Sequence, residues 1–307
     1  MYETGIRPRA KERPFGATDL MLLTLVLIWG VNFSVVKGAL AEMSPLSFNA
    51  LRFALASILT LILLRITESD LSFPRGDWGR LLLLGLVGHT AYQLLFINGL
   101  ARTRAGNSSL ILATTPIFVA LLSAVLGIER IRGRAWLGIF LSFAGIFLIV
   151  ESSGKGLGLA SQTLTGDILT LFGTLCWSTY TVLSKPMLGR YSPLKLTGLT
   201  MSTGTFFLIL FSLPQLAEQD WGAVSWQSWL GLIYSFSLAI ALGYIVWYTG
   251  VRRIGSARTA IYSNLIPVVA LTVAWFTLGE RIASLQLVGA AVILVGIYLT
   301  RSQRRES

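Results

Sequence analysis

The amino-acid sequence repeats itself. The stretch 19–45 realigns with 167–193 at one fixed offset, and a later stretch realigns three positions further on. The identical pairs include Asp19/Asp167, Trp29/Trp177, Lys37/Lys185, Ser44/Ser192, Pro45/Pro193, Trp78/Trp229, Gly99/Gly250, Pro116/Pro267, Glu129/Glu280, Gly138/Gly289 and Gly145/Gly296. We therefore expect two copies of one folding unit.

Each copy is built from long apolar runs. A membrane-spanning helix needs roughly 20 mostly apolar residues, and the sequence predicts ten such spans, at 18–37, 47–65, 78–101, 107–127, 134–151, 166–185, 193–214, 227–250, 257–278 and 284–301. Of the 307 residues, 54% are hydrophobic and 13% charged, whereas soluble proteins average about 25% charged. Since five spans per copy is an odd number, the second copy must cross the membrane in the opposite sense. The predicted fold is an all-α integral membrane protein of ten transmembrane helices in two inverted five-helix repeats.

The connections between spans leave no room for a separate soluble domain. The predicted organisation is a basic cytoplasmic segment at 1–17, a first repeat at 18–151, an extracytoplasmic linker at 152–165, a second repeat at 166–301 and a cytoplasmic tail at 302–307. The first apolar run has full span length and no cleavage-site pattern, so we expect it to be retained. Any function must then be built inside the bundle.

Lysine and arginine set the predicted orientation. With the N-terminus inside, nineteen of these residues fall on the cytoplasmic side and five outside, which predicts cytoplasmic termini in a multi-pass protein of the cytoplasmic (inner) membrane. Its basic residues are spread along one membrane face rather than clustered on a folded module. We expect contacts with membrane lipids and no binding of nucleic acid.

The sequence lacks the motifs that several kinds of enzyme and pump require. The sequence has no G-x-x-x-x-G-K-[ST] loop, no H-E-x-x-H and no G-x-S-x-G, which argues against nucleotide-driven pumping and against these hydrolases. We predict no enzyme activity, no cofactor and no metal site. No carboxylate falls in the middle of a predicted span, and His89 is the only histidine. Proton coupling, which commonly uses an embedded ionisable residue, would use His89 or be absent.

Two equivalent spans carry matching aromatic and polar faces. In the first span Trp29, Asn32 and Phe33 stand at i, i+3 and i+4, and therefore share one helix face. Trp177 and Tyr180 occupy the equivalent positions in the sixth span. A substrate site between two inverted repeats would need such a pair of faces. The alternative is that these aromatic residues serve helix packing or an interfacial belt.

The third span carries a second stripe of this kind. His89, Tyr92, Gln93 and Phe96 follow the spacing i, i+3, i+4 and i+7. Polar groups facing lipid would cost a few kcal/mol each, so this stripe faces protein or water. It either contacts substrate or forms structural hydrogen bonds between helices. In the equivalent eighth span, Tyr244 and Trp247 extend the predicted binding set.

Proline interrupts the fourth and ninth spans at equivalent places. Pro116 and Pro267 each remove a backbone hydrogen bond and kink a helix, which makes them hinge candidates or static kinks. Tyr262 and Asn264, just before Pro267, are weaker candidates for the cavity lining. Arg52 lies inside the second span, where it can reach the interface or bond carbonyls, with direct anion binding as the alternative.

Several motifs of the sequence resemble those of a known family. The runs at 29–33 (WGVNF) and 51–53 (LRF), the pair Thr115-Pro116 followed by 127–130 (GIER), and their counterparts in the second half are similar to the EamA family of the drug/metabolite transporter (DMT) superfamily. The resemblance covers nearly the whole chain. It implies a ten-helix basket around a central cavity, and export of amino acids or related small metabolites, as in exporters of the YddG type.

The expected function is therefore a secondary exporter of amino acids, aromatic or otherwise neutral, or of related metabolites, working by alternating access. One alternative within the superfamily is transport of sugar phosphates, nucleotide sugars or cationic drugs. An alternative of another class is a non-transporting membrane receptor or a membrane-embedded enzyme. The sequence leaves the oligomeric state open, with a monomer as one option.

Overall fold

Helices account for almost all of the described chain. The structure, a computed structural model, describes residues 16–68, 74–127, 133–151, 162–254, 259 and 262–302, and these ranges contain no strand. In chain order the helices are α1 (Ala17–Ala39), α2 (Pro45–Thr67), α3 (Arg75–Arg102), α4 (Ala105–Val125), α5 (Gly133–Glu151), α6 (Gln162–Ser184), α7 (Pro193–Glu218), α8 (Trp226–Ile254), α9 (Ser263–Leu278) and α10 (Ser284–Ser302). Most of the predicted N-terminal segment, linker and tail lies outside the described residues, at 1–15, 152–161 and 303–307.

Six of these helices are long and apolar enough to cross a membrane, namely α1, α2, α3, α4, α7 and α8. Shorter apolar helices occupy Trp136–Ile149, Ser263–Leu278 and Ser284–Gly296, within α5, α9 and α10. Helix α6 belongs to neither group, because six threonines and Asp167 lower its hydropathy. The protein is therefore an integral, multi-pass membrane protein.

Three threonines of α6 form hydrogen bonds within the helix itself. The hydroxyl groups of Thr170, Thr174 and Thr181 each donate to the backbone carbonyl four residues earlier, at 2.9 Å. All three side chains are buried. Because a hydroxyl that bonds its own helix needs no other partner, these residues can lie inside an apolar bundle at little cost.

The outer surface of the bundle is apolar. Large hydrophobic side chains are exposed on several helices, including Phe140, Phe172, Phe211, Phe276 and Tyr298. Buried positions, in contrast, include many serines and threonines. In water such a surface would favour aggregation, whereas in a bilayer it faces lipid tails.

Helices α2 and α7 begin in the same way. In each, a serine with extended backbone precedes a proline in the first helical turn, at Ser44-Pro45 and Ser192-Pro193. Proline suits this position because its missing N–H would have no intrahelical acceptor there. The Ser192 hydroxyl also accepts the backbone N–H of Lys195 at 2.9 Å. A shared pair of residues in the two repeats thus forms the same helix start.

Helix α7 continues to Glu218, although its predicted end was 214. Pro214 lies inside the helix and removes one backbone hydrogen bond. The turn that follows contacts α2, since the side-chain Oε1 of Gln215 accepts the backbone N–H of Leu46 at 2.9 Å. The helix therefore extends four residues beyond the predicted apolar span, across the proline.

Glycines bring helices into backbone contact at two crossings. A Cβ built on Gly204 of α7 would lie 2.4 Å from the carbonyl oxygen of Gly85 in α3. Gly145 of α5 and Gly289 of α10 face each other similarly, with a Cβ on Gly145 only 2.7 Å from the Gly289 oxygen. At these two crossings only a hydrogen atom fits between the backbones.

Four of the helices contain an irregular segment. Helix α3 contains a π-helical segment at Leu86–Ala91, and α8 contains another at Ser235–Leu242. Helix α4 is interrupted by a turn at 113–114, and α9 opens with a 3-10 turn at Ser263–Leu265. Irregular backbone inside a membrane is tolerated where it is buried in protein or lines a cavity. Three of these places, in α4, α8 and α9, contribute residues to the candidate site.

Contacts at the two ends of the bundle join the helices. Where α1 ends and α4 begins, the Lys37 ammonium donates to the carbonyl oxygens of Leu100 (2.8 Å), Ala101 (3.0 Å) and Thr103 (2.6 Å). At the opposite end Arg190 forms an ion pair with Asp77 at 2.8 Å. Each end is thus held by its own polar network.

Candidate functional site

A cavity lies in the centre of the bundle. It is partly open and spans about 700 Å³ of space that no protein atom occupies, a volume that includes open solvent. Its lining comes from the irregular helices together with α1, α2 and α6: Trp29, Asn32, Phe33, Arg52, Tyr92, Gln93, Phe96, Ser109, Leu112, Ala113, Thr115, Trp177, Ala239, Ile240, Tyr244, Trp247, Ser263 and Ile266. This composition, mostly apolar and aromatic with a few convergent polar groups, is typical of a small-molecule site.

Aromatic rings from four helices meet at the wall. The ring of Trp177 lies 5.2 Å from that of Tyr244 and 5.3 Å from that of Tyr92. Trp29 lies 5.3 Å from Trp247 and 6.2 Å from Trp177. Aromatic pairs at these separations attract one another. The cluster therefore forms a rigid surface on which a ring or a cation can stack.

The π-helical segment of α8 positions Trp29. Its indole N–H donates to the backbone carbonyl of Ala239 at 2.8 Å, and Ala239 lies within that segment. A π turn shifts the regular backbone bonding pattern. The Ala239 carbonyl thereby gains a side-chain donor from α1, and this bond fixes the orientation of the indole ring.

Arg52 enters the cavity wall from α2. The side chain is 1% exposed, and its guanidinium donates to Asn49 Oδ1 (2.8 Å), Ser235 Oγ (3.1 Å) and Gln93 Oε1 (2.9 Å). The Gln93 amide then donates to the hydroxyl of Tyr244 at 3.1 Å. Arg52 therefore bonds side-chain oxygens of three helices, two of them amide carbonyl oxygens, rather than reaching the interface.

Some polar atoms of the wall have no protein partner. Asn32 Oδ1 and the indole nitrogen of Trp247 are buried, and no described group bonds either of them. Buried polar atoms without partners are rare in folded proteins, and each calls for an explanation. Because both residues line the cavity, one acceptor and one donor remain for a ligand or ordered water.

Nine of the thirteen predicted binding residues line the cavity: Trp29, Asn32, Phe33, Tyr92, Gln93, Phe96, Trp177, Tyr244 and Trp247. They come from α1, α3, α6 and α8, as the repeat indicated. The structure thus brings the faces of both repeats to one place.

His89 and Tyr180 lie behind the wall. His89 Nε2 is 3.1 Å from the Tyr180 hydroxyl and 3.1 Å from that of Thr200, and the two hydroxyl oxygens are 2.8 Å apart. His89 belongs to the π segment of α3, where the i, i+3, i+4 spacing no longer applies. This accounts for its separation from Tyr92, which lines the cavity.

Tyr262 and Asn264 are also outside the lining. The Tyr262 hydroxyl donates to the Asp19 carboxylate and so joins the start of α9 to that of α1. Thr103, just before α4, donates in the same way to Asp167 in α6, at 2.5 Å. Pro116 and Pro267 lie one residue into the helical segments that follow the interruptions, and both are buried.

Nine lining residues were not among the predicted binding residues, although Arg52 was considered for anion binding: Arg52, Ser109, Leu112, Ala113, Thr115, Ala239, Ile240, Ser263 and Ile266. Most of them lie at the interruptions of α4 and α9 or in the π segment of α8. The prolines marked two of these places in the sequence. A π segment leaves no comparable signal, because it arises from tertiary contacts. Within the part of the chain that the structure describes, no three His, Cys, Asp or Glu residues are grouped to hold a metal ion.

Known proteins resemble this chain over nearly its whole length. An uncharacterised transporter of Archaeoglobus fulgidus is 32% identical over 290 residues, covering 94% of this chain and 99% of that protein. A probable amino-acid metabolite efflux pump of Escherichia coli is 28% identical over 288 residues, covering 91% and 93%. One crystal structure matches the fold with a TM-score of 0.69 at 19% identity, covering 95% of this chain and 99% of that one.

A family description also matches twice in succession. The EamA-like transporter family model covers residues 16–151 and then residues 164–302. Two matches in tandem account for nearly all of the sequence. This membrane protein therefore belongs to the EamA-like transporter family.

Proposed function

We propose that the protein is a secondary transporter that exports amino acids, aromatic and other neutral ones, or related small metabolites, by alternating access. The observation that carries the proposal is the aromatic cavity inside an apolar helical bundle. Its relative in Escherichia coli, named a probable amino-acid metabolite efflux pump, supports the cargo class.

The wall chemistry favours this cargo over the alternatives. Among the described lining residues there is no carboxylate, and cationic drugs are usually held by one. Arg52 is the only lining cation in the same set, whereas sugar phosphates and nucleotide sugars carry charge that calls for several. A neutral zwitterion with an apolar side chain fits one cation among aromatic rings.

We also propose that ten helices cross the membrane as two inverted repeats, residues 18–151 and 166–301. The tandem family match supports this division. Further support comes from paired irregularities: π segments in α3 and α8, and interruptions before Pro116 and Pro267. In this proposal the two prolines are the hinges, and both termini are in the cytoplasm of a cell whose inner membrane holds the protein.

His89 is the residue on which proton coupling would depend. It is fully buried and bonded to Tyr180, one layer behind Trp177 and Tyr244. Its ring lies 5.4 Å from that of Tyr244. A change in its protonation would therefore act on the cavity wall through this neighbour rather than on substrate directly.

Flux through reconstituted protein tests the function. Purified protein in liposomes is assayed with labelled tryptophan, phenylalanine, threonine and lysine against empty liposomes, with and without a pH gradient. We expect flux of the neutral amino acids above background, and a gradient dependence that His89→Gln removes if protons are coupled. Absence of flux for all amino acids, from folded protein, together with flux of a sugar phosphate or a cationic dye, would contradict the proposal.

A further inference from the structure

The single arginine of the cavity wall has only neutral partners. Its three bonds go to an asparagine, a serine and a glutamine. In the described ranges no carboxylate pairs with Arg52, since the ion pair found there joins Arg190 and Asp77. A fully buried charge without a counter-charge is costly. The cavity thus carries one uncompensated positive charge.

The guanidinium retains donors for a ligand. It has five N–H bonds, and the three protein acceptors use one each on Nε, Nη1 and Nη2. One N–H on each terminal nitrogen is left. Two N–H groups of one guanidinium match the two oxygens of a carboxylate, and this pairing is stronger than a bond between neutral groups.

Rings around Arg52 hold the guanidinium in place. Its central carbon lies 5.5 Å from the ring centres of Phe48 and Phe53 and 5.8 Å from that of Phe96. Contacts of this kind attract a cation, and Phe96 also lines the cavity. The group is therefore fixed before a ligand arrives, which reduces the entropy lost on binding.

The amide oxygen of Asn32 suits a positively charged group of a ligand, whereas Arg52 suits a negatively charged one. Asn32 is 9% exposed, and its Oδ1 has no partner among the described groups. An amide oxygen accepts hydrogen bonds, and an ammonium group donates three. Both Asn32 and Arg52 line the same cavity. Its wall therefore presents one acceptor without a hydrogen-bond donor and one cation without a counter-charge.

We propose that Arg52 binds the α-carboxylate of the transported substrate and that Asn32 Oδ1 accepts from its ammonium group. This inference rests on the proposed function and names its recognition chemistry. The remaining wall, formed by Trp29, Trp177 and Tyr244, then receives the side chain. One guanidinium neutralises one negative charge, so the site selects monocarboxylates with an adjacent ammonium over phosphate dianions.

Ligand analogues on the wild-type protein test the proposal without any substitution. Phenylalanine, tryptophan and threonine are compared with their amides, and phenylalanine also with 3-phenylpropionate, by competition against the labelled amino acid on protein in lipid nanodiscs. We expect each amide to bind about 10-fold to 100-fold more weakly than its acid, and 3-phenylpropionate to lose affinity through the missing ammonium. Equal affinity of acid and amide would overturn the role of Arg52.

Substitutions test whether Arg52 and Asn32 cause these differences in affinity. Arg52→Gln is expected to bind acid and amide equally, Arg52→Lys to keep part of the preference, and Asn32→Leu to lose the difference between phenylalanine and 3-phenylpropionate. Wild-type discrimination in Arg52→Gln would overturn the inference. If the protein binds the acids more tightly than the amides but transports no amino acid, only the exporter proposal is contradicted. If the protein transports acids and amides equally well, the exporter proposal is supported and the role of Arg52 is contradicted.

Discussion

The indole N–H of Trp29 donates to the backbone carbonyl of Ala239, 2.8 Å away and 210 residues distant in sequence. The bond joins α1 of the first repeat to the π segment of α8 in the second. Both residues line the cavity. A single hydrogen bond thus couples the shape of the site to the contact between the two halves.

Trp29→Phe should weaken this coupling while keeping an aromatic ring. Loss of the donor leaves the Ala239 carbonyl without this partner, which costs about 1–3 kcal/mol when the carbonyl stays dry. We expect a lower thermal midpoint in detergent and reduced flux in liposomes. Trp136→Phe, at a position 56% exposed on the lipid-facing surface, is the matched control. Equal effects of the two substitutions would show that the bond has no special role.

The crossing of α3 and α7 should tolerate no side chain at Gly204. A Cβ there would meet the Gly85 carbonyl oxygen at 2.4 Å, so the backbones must separate in Gly204→Ala. Gly198→Ala in the same helix is the control, because its nearest neighbour would be 3.4 Å away. We expect Gly204→Ala to cost about 1–3 kcal/mol and Gly198→Ala to be near neutral. Similar thermal midpoints for both would refute the close approach.

Glu280 should control access to the cavity from the end at which α4 begins. Its carboxylate accepts the backbone N–H groups of Ala105 (2.8 Å) and Gly106 (3.1 Å), where a helix N-terminus favours an anion. We expect Glu280→Gln to weaken this closure and raise labelling of a cysteine at Ser109, in a Cys176→Ala background, by about 10-fold. A membrane-impermeant maleimide added outside measures the rate. An unchanged rate would mean that this contact does not close the bundle.

Glu42 should make the contact between the α1–α2 connection and α8 depend on pH. The Ser225 backbone N–H donates to its carboxylate at 2.8 Å and holds the pKa of Glu42 below its usual value. The stabilisation is therefore fully present above the ordinary glutamate pKa of about 4.3 and is lost as pH falls through the lower, folded-state pKa. Hydrogen exchange of residues 221–229, corrected for intrinsic rates, should show protection that declines at acid pH. Glu42→Gln should lack this decline.

Periodicity predicted much of the cavity. The spacing of Trp29, Asn32 and Phe33 depends only on regular helix geometry, and all three line the site. That they bind substrate stays a prediction. His89 followed the same spacing but lies behind the wall, because the π segment of α3 shifts the helix phase there. This segment contacts α7, where the Thr90 hydroxyl donates to the Gly204 carbonyl, and the local sequence does not reveal such a contact.

The orientation of Arg52 could not be read from sequence for a related reason. Its three acceptors lie 3, 41 and 183 residues away, and the distant two become neighbours only after the helices pack. The side chain of Gln215 in α7 likewise meets the backbone of α2 only after the helices pack. Local sequence pattern therefore predicts the helices and their faces. Irregular segments and buried polar networks can be identified only once the helices are packed together.

Counterflow of a neutral amino acid in proteoliposomes tests the central claim most directly. Vesicles preloaded with unlabelled phenylalanine receive trace labelled phenylalanine, and wild-type protein is compared with Trp247→Ala, in the cavity wall, and Trp275→Ala, which is 54% exposed on the lipid-facing surface. The account predicts transient accumulation of label for wild type and Trp275→Ala, and at least about a 10-fold loss for folded Trp247→Ala. Accumulation that is equal in all three proteins, or absent in wild type, would contradict it.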